Sequence, residues 1–492
     1  MSQRSVPKDR IRKINQRPIN PDGEYVLYWM IAARRTGWNF ALQHAINHAA
    51  KLGKPLIVLE ALRCDYPYAS DRFHRFIIDG MLANANAFQN HQVLYYPYVS
   101  RRPGDDKGFL AALSVQACLV ITDDCPAFIM PKLVESAGAH LPMLLEAIDG
   151  NGLLPLKLAD RAYPTAYAFR RFLQKTLPSH FLTAPCADPF HGIDLPRLNQ
   201  LPSTVTDRWP MADLTELSKQ AALAKLPIDH SVPVVAKTGG EQAAKSLLEL
   251  FLKAKLGRYA EERNHPDIQV TSELSACLHF GHISSHAIFA AITTQEDWSP
   301  QRLGPKADGK RSGWWGLSIN AEAFLDQLIT WRELGYNMCT FEPAYRDYAS
   351  LPDWARKTLD DHSLDPRPYC YSLEELREAR THDPLWNAAQ RQLLTDGMIH
   401  NYLRMLWGKK ILEWSPTPQQ ALEAMIELND RFAIDGRDPN SYSGIFWCLG
   451  RYDRPWGPKR PIFGSVRYMS SENTQRKVKL SNYLKRYGQD NL

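Results

Sequence analysis

At 492 residues the chain is too long for one ordinary domain, and 44% hydrophobic against 23% charged residues excludes disorder throughout. No stretch approaches the roughly 20 consecutive apolar residues of a membrane-spanning helix, and the basic, polar start lacks the apolar core of a secretory signal. The net charge of +6, from 59 basic and 53 acidic residues, permits an anionic partner without requiring one.

Residues 1–20 read as a loose N-terminal arm. Residues 21–185 then alternate. Tyr25-Val-Leu-Tyr-Trp29 reads as a strand, and 38–52 carries helical spacing of apolar residues. The run 56–62 reads as a buried strand, and 71–88 is helical again. The strand 93–99 contains Pro97, which predicts an edge or an end. A short helix at 109–116, a strand at 118–122, a helix at 127–137 and a fifth strand at 143–148 complete the pattern. Five strands alternating with helices predict an open, mostly parallel, Rossmann-like α/β sheet. Neither GxGxxG after the first strand nor GxxxxGK[ST] anywhere is present, so the usual nucleotide fingerprints are missing.

Residues 186–240 are rich in Pro, Asp and Thr with little periodicity, and read as a surface linker. From Glu241 to the end the pattern is helical, with helices predicted at 242–255, 321–337, 373–379, 387–395, 398–414 and 418–429. The predicted architecture is an α/β domain over 21–185 and a large all-α domain over 241–492. The eight cysteines are scattered without a CxxC pair, so they read as buried free thiols in a reducing, cytoplasmic setting, and no metal site is read.

The helical half holds the informative residues. Trp407 and Trp414 are seven apart on one predicted helix, and Trp386 lies 21 before Trp407 at the start of the preceding helix, which Gly397 can end. Three packing tryptophans are the bland reading. The sharper one is an electron-hopping chain from the surface to a buried redox cofactor. Between Arg451 and Arg486 ten Lys/Arg face only Asp453 and Glu472, a segment charge of +8 beside aromatics, which suits a phosphate backbone and equally suits a solvated surface.

Several segments together carry a resemblance. They are Thr381-His-Asp-Pro-Leu-Trp-Asn-Ala-Ala-Gln390, the helix through Trp414, and Leu428-Asn-Asp-Arg-Phe-Ala-Ile-Asp-Gly-Arg-Asp-Pro-Asn440. Tyr259-Ala-Glu-Glu-Arg-Asn264, Leu278-His-Phe-Gly-His-Ile-Ser284, Arg332-Glu-Leu334 and Arg460-Pro-Ile-Phe-Gly-Ser-Val-Arg-Tyr-Met469 extend it. The set resembles class II photolyases, flavin enzymes that use light to repair cyclobutane pyrimidine dimers. It is dense from about 259 to 469 and thinner over the first 190 residues, where Tyr28-Trp-Met30 and Trp38-Asn39 still agree. Ala276-Cys277, Trp331, Asn401-Tyr402 and Gly457-Pro458-Lys459 depart from the family pattern.

The resemblance implies a DNA repair lyase with FAD, active as FADH−, in the helical domain, and UV-damaged DNA as partner. It implies a monomer without an obligatory protein partner or membrane, working in the cytoplasm with the DNA. The antenna pigment stays open between deazaflavin, folate, flavin and none. Tyr259 and Thr271, Ser272, Glu273, Leu274 and Ser275 are implied at the FAD phosphates, where hydroxyls and helix-start N–H groups suit the charge; the same run also reads as a plain helix cap. Arg332 and Asp438 are implied at the cofactor too. Arg404 and Asp435 are implied as a salt bridge under the flavin ring, which otherwise reads as a structural pair. Asn429 is implied at flavin N5, where an amide both donates and accepts, with Asn440 in reserve. Trp386, Trp407 and Trp414 become the electron chain, with Trp414 nearest the solvent or second.

On the substrate side, Glu333 is implied on the dimer carbonyls and Met405 and Trp447 against the flipped-out dimer. Trp456 and Arg467 are implied in the gap left in the duplex; for Trp447 and Trp456 core packing is the alternative. A fragment starting near Glu241 is expected to keep some flavin. Two other functions compete: a cryptochrome-like photosensor with the same flavin and tryptophans, and a nucleic-acid-binding protein without photochemistry.

Overall fold

The structure, a computed structural model, describes residues 5–181, 183–198 and 200–488. The chain forms two compact units that are not contiguous in sequence. The first comprises Met1–Asp160, Thr176–Glu249 and Glu273–Pro300; the second comprises Arg161–Lys175, Leu250–Ser272 and Gln301–Leu492.

In the first unit the strands are β1 (Ile11–Lys13), β2 (Tyr25–Met30), β3 (Leu56–Leu62), β4 (Val93–Val99), β5 (Ala117–Asp123) and β6 (Leu145–Ile148). Among the described residues they form one sheet of order β1-β6-β5-β2-β3-β4, parallel throughout except β1 on β6. Between the parallel strands run α1 (Phe40–Leu52), α2 (Asp71–Phe88), α3 (Phe109–Ser114) and α4 (Met130–His140). β2 and β5 are buried at every position, which is why they read as unbroken apolar runs rather than alternating ones. Pro97 sits on β4, at the sheet edge, where its missing N–H costs no ladder bond. α1 starts at Asn39, whose side chain accepts the Leu42 N–H at 3.0 Å, and ends at Gly53 in the left-handed region. At the end of β5, Asp123 accepts the backbone N–H groups of Ile31, Ala32 and Ala33 at 2.7–2.9 Å and the Tyr28 hydroxyl at 2.8 Å, which closes the turn after β2.

Two expectations need correcting here. The N-terminal arm is not loose over its described part, and residues 1–4 lie outside the described residues. Lys8–Arg10 form a helical turn, β1 pairs with β6, and the buried Arg10 guanidinium donates to the carbonyls of Asp149 (3.0 Å) and Leu153 (2.6 Å). A three-residue edge strand is set by its neighbour, so it leaves no pattern of its own. Residues 186–240 are not a bare linker either. Trp209 is buried against Phe109 (centroids 5.1 Å apart, 18° between planes), donates to Asp105 O at 2.8 Å, and its carbonyl accepts from Tyr96.

The second unit is built on α5 (Arg332–Phe341), α6 (Pro384–Asp396), α7 (Asn401–Trp414), α8 (Pro418–Phe432) and α9 (Pro439–Cys448). α5 continues the helix Ile319–Leu325 through a π-helical stretch, Asp326–Trp331, the kind of irregularity that often marks a functional site. α6 begins at Asp383, whose carboxylate accepts the Leu385 and Trp386 N–H groups at 3.0 Å, and ends at Gly397 with φ +67°. Gly335 lets α5 lie against α9: a Cβ there would meet the Pro439 carbonyl at 2.7 Å.

Candidate functional site

The three tryptophans of α6 and α7 come together. Trp407 and Trp386 lie parallel, 2° between planes and 6.5 Å between centroids, and Trp386 meets Trp414 edge-on at 5.5 Å. Trp386 is therefore the middle member. All three are buried, so no indole of the trio itself reaches solvent. The two parallel indoles have their polar handles satisfied: Trp386 Nε1 donates to the Trp407 carbonyl at 3.0 Å and Trp407 Nε1 to Gln390 Oε1 at 2.9 Å. Beyond Trp414, Tyr371 and His382 each stand edge-on at 5.3 Å, and His382 stacks on the exposed Tyr369 at 3.7 Å. The aromatic contact thus runs from the α6–α7 core to the surface.

One turn up α7 from Trp407, Arg404 donates to Asp435 Oδ1 at 3.1 Å and reaches Ser441 Oγ at 3.5 Å. Both side chains of the Arg404–Asp435 pair are mostly buried. Asn429, buried on α8, donates its amide to the Gly436 carbonyl (2.7 Å) and lies 2.9 Å from Ser441 Oγ. The amide thereby fastens the 433–438 turn that carries Asp435. Next to it Asp430 is fully buried, accepts from Tyr442 OH at 2.8 Å, and is pushed up to about 6 by burial despite Tyr442 and Arg346.

A second cluster sits where α5 meets α9. Asp438 caps α9 by accepting the Asn440 N–H at 2.8 Å, and its other oxygen takes the Tyr336 hydroxyl at 3.3 Å. Arg332 lies over the Tyr336 ring at 4.5 Å and donates to its hydroxyl at 3.1 Å. Glu333, the next residue, is buried on the same helix. Asn440 is exposed, and it is its backbone N–H that joins this group through Asp438.

Cations and indoles alternate on the other side of α7 and α9. Lys409, fully buried, donates to Cys448 O at 2.6 Å and points its ammonium at the Trp447 ring, 5.0 Å away. Burial lowers that ammonium to about 8. Arg467 lies 5.4 Å from the Trp447 ring and 4.0 Å from the Trp456 ring, and binds Asp453 through two bonds of 2.8 and 3.1 Å. Trp456 is the exposed member and also donates to Asp453, at 3.1 Å. Met405, one turn before Lys409, lies 3.5 Å from where a Cβ on Gly444 would stand.

Tyr259 is buried edge-on to Phe251 and Phe324. Thr271 and Ser272 belong to the second unit, whereas Glu273, Leu274 and Ser275 belong to the first. The plain helix-cap reading of that run fails: Leu274 is the N-cap of Ser275–His279 and no side chain caps it, while Glu273 pairs with Lys237 at 3.0 Å. Of the ten basic residues at 451–486, Arg451 is buried and held by the Tyr345 carbonyl and Ser350, so it adds no surface charge for a polyanion.

No family model matches the chain. Over 482 residues it is 33% identical to the deoxyribodipyrimidine photo-lyase of Methanothermobacter thermautotrophicus, with 98% of each chain covered. The chain belongs to the deoxyribodipyrimidine photo-lyase family. The Oryza sativa subsp. japonica photo-lyase is 30% identical over 491 residues, 96% of this chain and 89% of that one. A bacterial class III photolyase from Agrobacterium tumefaciens shares the fold, with a TM-score of 0.68 over 94% of this chain and 86% of that chain, at 17% identity.

Several residues of this photo-lyase family member escaped the sequence reading. Lys409 looked like one more basic residue of a helix, Asp453 like a stray acid in a basic block, and Gln390, Tyr336 and Asp430 like helix filler. The one available signal was Lys409-Lys410 inside the otherwise apolar stretch 406–412, which places at least one ammonium in the core.

Proposed function

We propose that this chain is a deoxyribodipyrimidine photo-lyase of the class II type, which repairs cyclobutane pyrimidine dimers in DNA with light. The observation that carries this is the end-to-end relationship to photo-lyases, 33% identity over 98% of both chains. The class II assignment rests on the motifs between 259 and 469.

The donor set of the second unit suits a flavin. Arg404 would supply a cation beside an anionic ring, Asp435 fixes its direction, and Asn429 holds the turn that carries Asp435. Tyr259, Arg332, Asp438 and the hydroxyls of Thr271 and Ser272 would hold the rest of FAD. Bound there in its reduced form, FAD would supply the light-driven, reversible one-electron chemistry that opens the two carbon–carbon bonds linking the dimer. Glu333 offers a carboxyl to the desolvated dimer carbonyls, a contact that strengthens as electron density arrives and so lowers the splitting barrier more than it aids binding. Met405 and Trp447 bound the flipped-out bases, while Trp456 and Arg467 occupy the gap in the duplex. Trp407, Trp386 and Trp414 return a resting oxidised cofactor to service. The protein acts as a monomer in the cytoplasm; among the described residues no helix is long and apolar enough to cross a membrane.

The test is direct. The purified protein is photoreduced without oxygen, then illuminated with an oligonucleotide carrying one thymine dimer. Dimer loss in light and none in the dark is expected. Full photoreduction without any dimer loss would refute repair and favour a photosensor.

A further inference from the structure

His44 and His48 stand one helical turn apart on α1, and Glu146 faces them from β6. His44 Nε2 lies 2.8 Å from Glu146 Oε2, and His48 Nε2 lies 3.8 Å from the same oxygen. The imidazole rings are 4.6 Å apart at 80°. One ligand atom from each residue falls within 4.8 Å of the other two, and the three side chains are 11%, 19% and 8% exposed. We propose that His44, His48 and Glu146 form a binding site for a divalent first-row transition ion, zinc foremost.

The chemistry supports that class of ion. Two histidines at i and i+4 present their nitrogens to one point beside the helix. A carboxylate from a facing element makes a His2Glu set, one that holds zinc at about 2.0–2.2 Å and leaves the fourth position for water. Magnesium and calcium favour all-oxygen shells, so two imidazoles select against them. Ala45 follows His44 where the zinc-peptidase motif has its glutamate, so the set binds without that general base. Lys13, opposite Glu146 in the β1–β6 register, and Lys51, one turn past His48, add positive charge nearby. Their repulsion makes the ion exchangeable rather than permanent. Once bound, it would join α1 to β6 in the first unit, remote in sequence from every residue assigned above to repair.

The test uses the full-length, flavin-loaded protein. Wild type, His48→Gln, Glu146→Gln and the exposed-histidine control His140→Gln are dialysed against zinc chloride, and bound zinc is measured by elemental analysis. Thermal unfolding is followed with zinc or magnesium. Wild type and His140→Gln should bind one equivalent more than the two site variants, and their midpoints alone should rise with zinc, since an ion that binds only the folded state stabilises it. Magnesium should do nothing. His48→Gln should keep light-driven repair in zinc-free buffer; should it fail to fold, Glu146→Gln decides. Equal zinc content in all four proteins, or none in wild type, overturns the proposal.

Discussion

Replacing Trp386 with phenylalanine should break light-driven reduction of the flavin while sparing repair. The indole it removes stands 6.5 Å from Trp407 and 5.5 Å from Trp414. A phenyl ring is far harder to oxidise, so charge must pass directly between Trp407 and Trp414. Those two are seven residues apart on α7, about 10 Å of axial rise. The gap nearly doubles, and tunnelling falls exponentially with it. The structural cost is modest. The bond from Nε1 to the Trp407 carbonyl is lost, about 0.5–1.5 kcal/mol. The smaller ring leaves a cavity worth about 1 kcal/mol. A total of about 2 kcal/mol lies well under the roughly 5–15 kcal/mol of a typical fold, so the variant should still fold. The assay is anaerobic blue-light photoreduction with an external thiol, beside a repair assay started from chemically reduced protein. Photoreduction should slow by at least an order of magnitude and repair should persist. Wild-type photoreduction in a folded Trp386→Phe protein refutes the hopping role and leaves the trio as packing.

Glu333→Ala should lose a hydrogen bond to developing charge, about 1.5–3 kcal/mol, and so cut repair per absorbed photon roughly tenfold or more; unchanged quantum yield would remove Glu333 from the site. Arg467→Ala should lower the slope of log K against log salt for dimer-containing duplex by about 0.9, one phosphate contact. Arg451→Ala, which empties a buried position, should instead lower the thermal midpoint and leave that slope alone; binding titrations over a salt series separate the two. Lys409 titrates near 8 when folded against an ordinary 10.5, so between those values the unfolded chain holds more protons and stability rises with pH. Lys409→Met should flatten that rise in urea midpoints taken from pH 7.5 to 10. Asp430 runs the other way: raised from 3.8 to about 6, it contributes stability that is lost as pH climbs through that window, and Asp430→Asn should abolish the loss.

What could be read in advance follows how local each signal is. β2, β3 and β5 announce themselves as buried apolar runs, and α6 carries its own Gly397 stop. β1 could not be read, because three residues on an edge take their conformation from β6. The tryptophans are legible as a trio from spacing, but their order is not: Trp386 becomes central only because α6 packs on α7. The Arg467–Asp453 fork with its two indoles depends on a turn that returns the chain onto itself, and composition shows merely a basic block. His44 and Glu146 lie 102 positions apart, so their meeting is a property of the sheet order.

The exchange of segments between the two units has a consequence for how the protein can be made and cut. A ribosome releases residues 161–175 well before the rest of the second unit exists, and the first unit lacks 273–300 until most of the chain has emerged. The first unit can be completed once residue 300 has emerged, whereas the second, begun at 161–175, waits for the segment that starts at 301. A fragment beginning near Glu241 would lack 161–175, including Arg170, whose guanidinium meets Asp326 at 2.8 Å in the π-helical stretch before α5. The expectation that such a fragment keeps flavin is therefore withdrawn: a chain cleaved there should hold its activity only while both pieces stay associated, and neither piece should regain it alone.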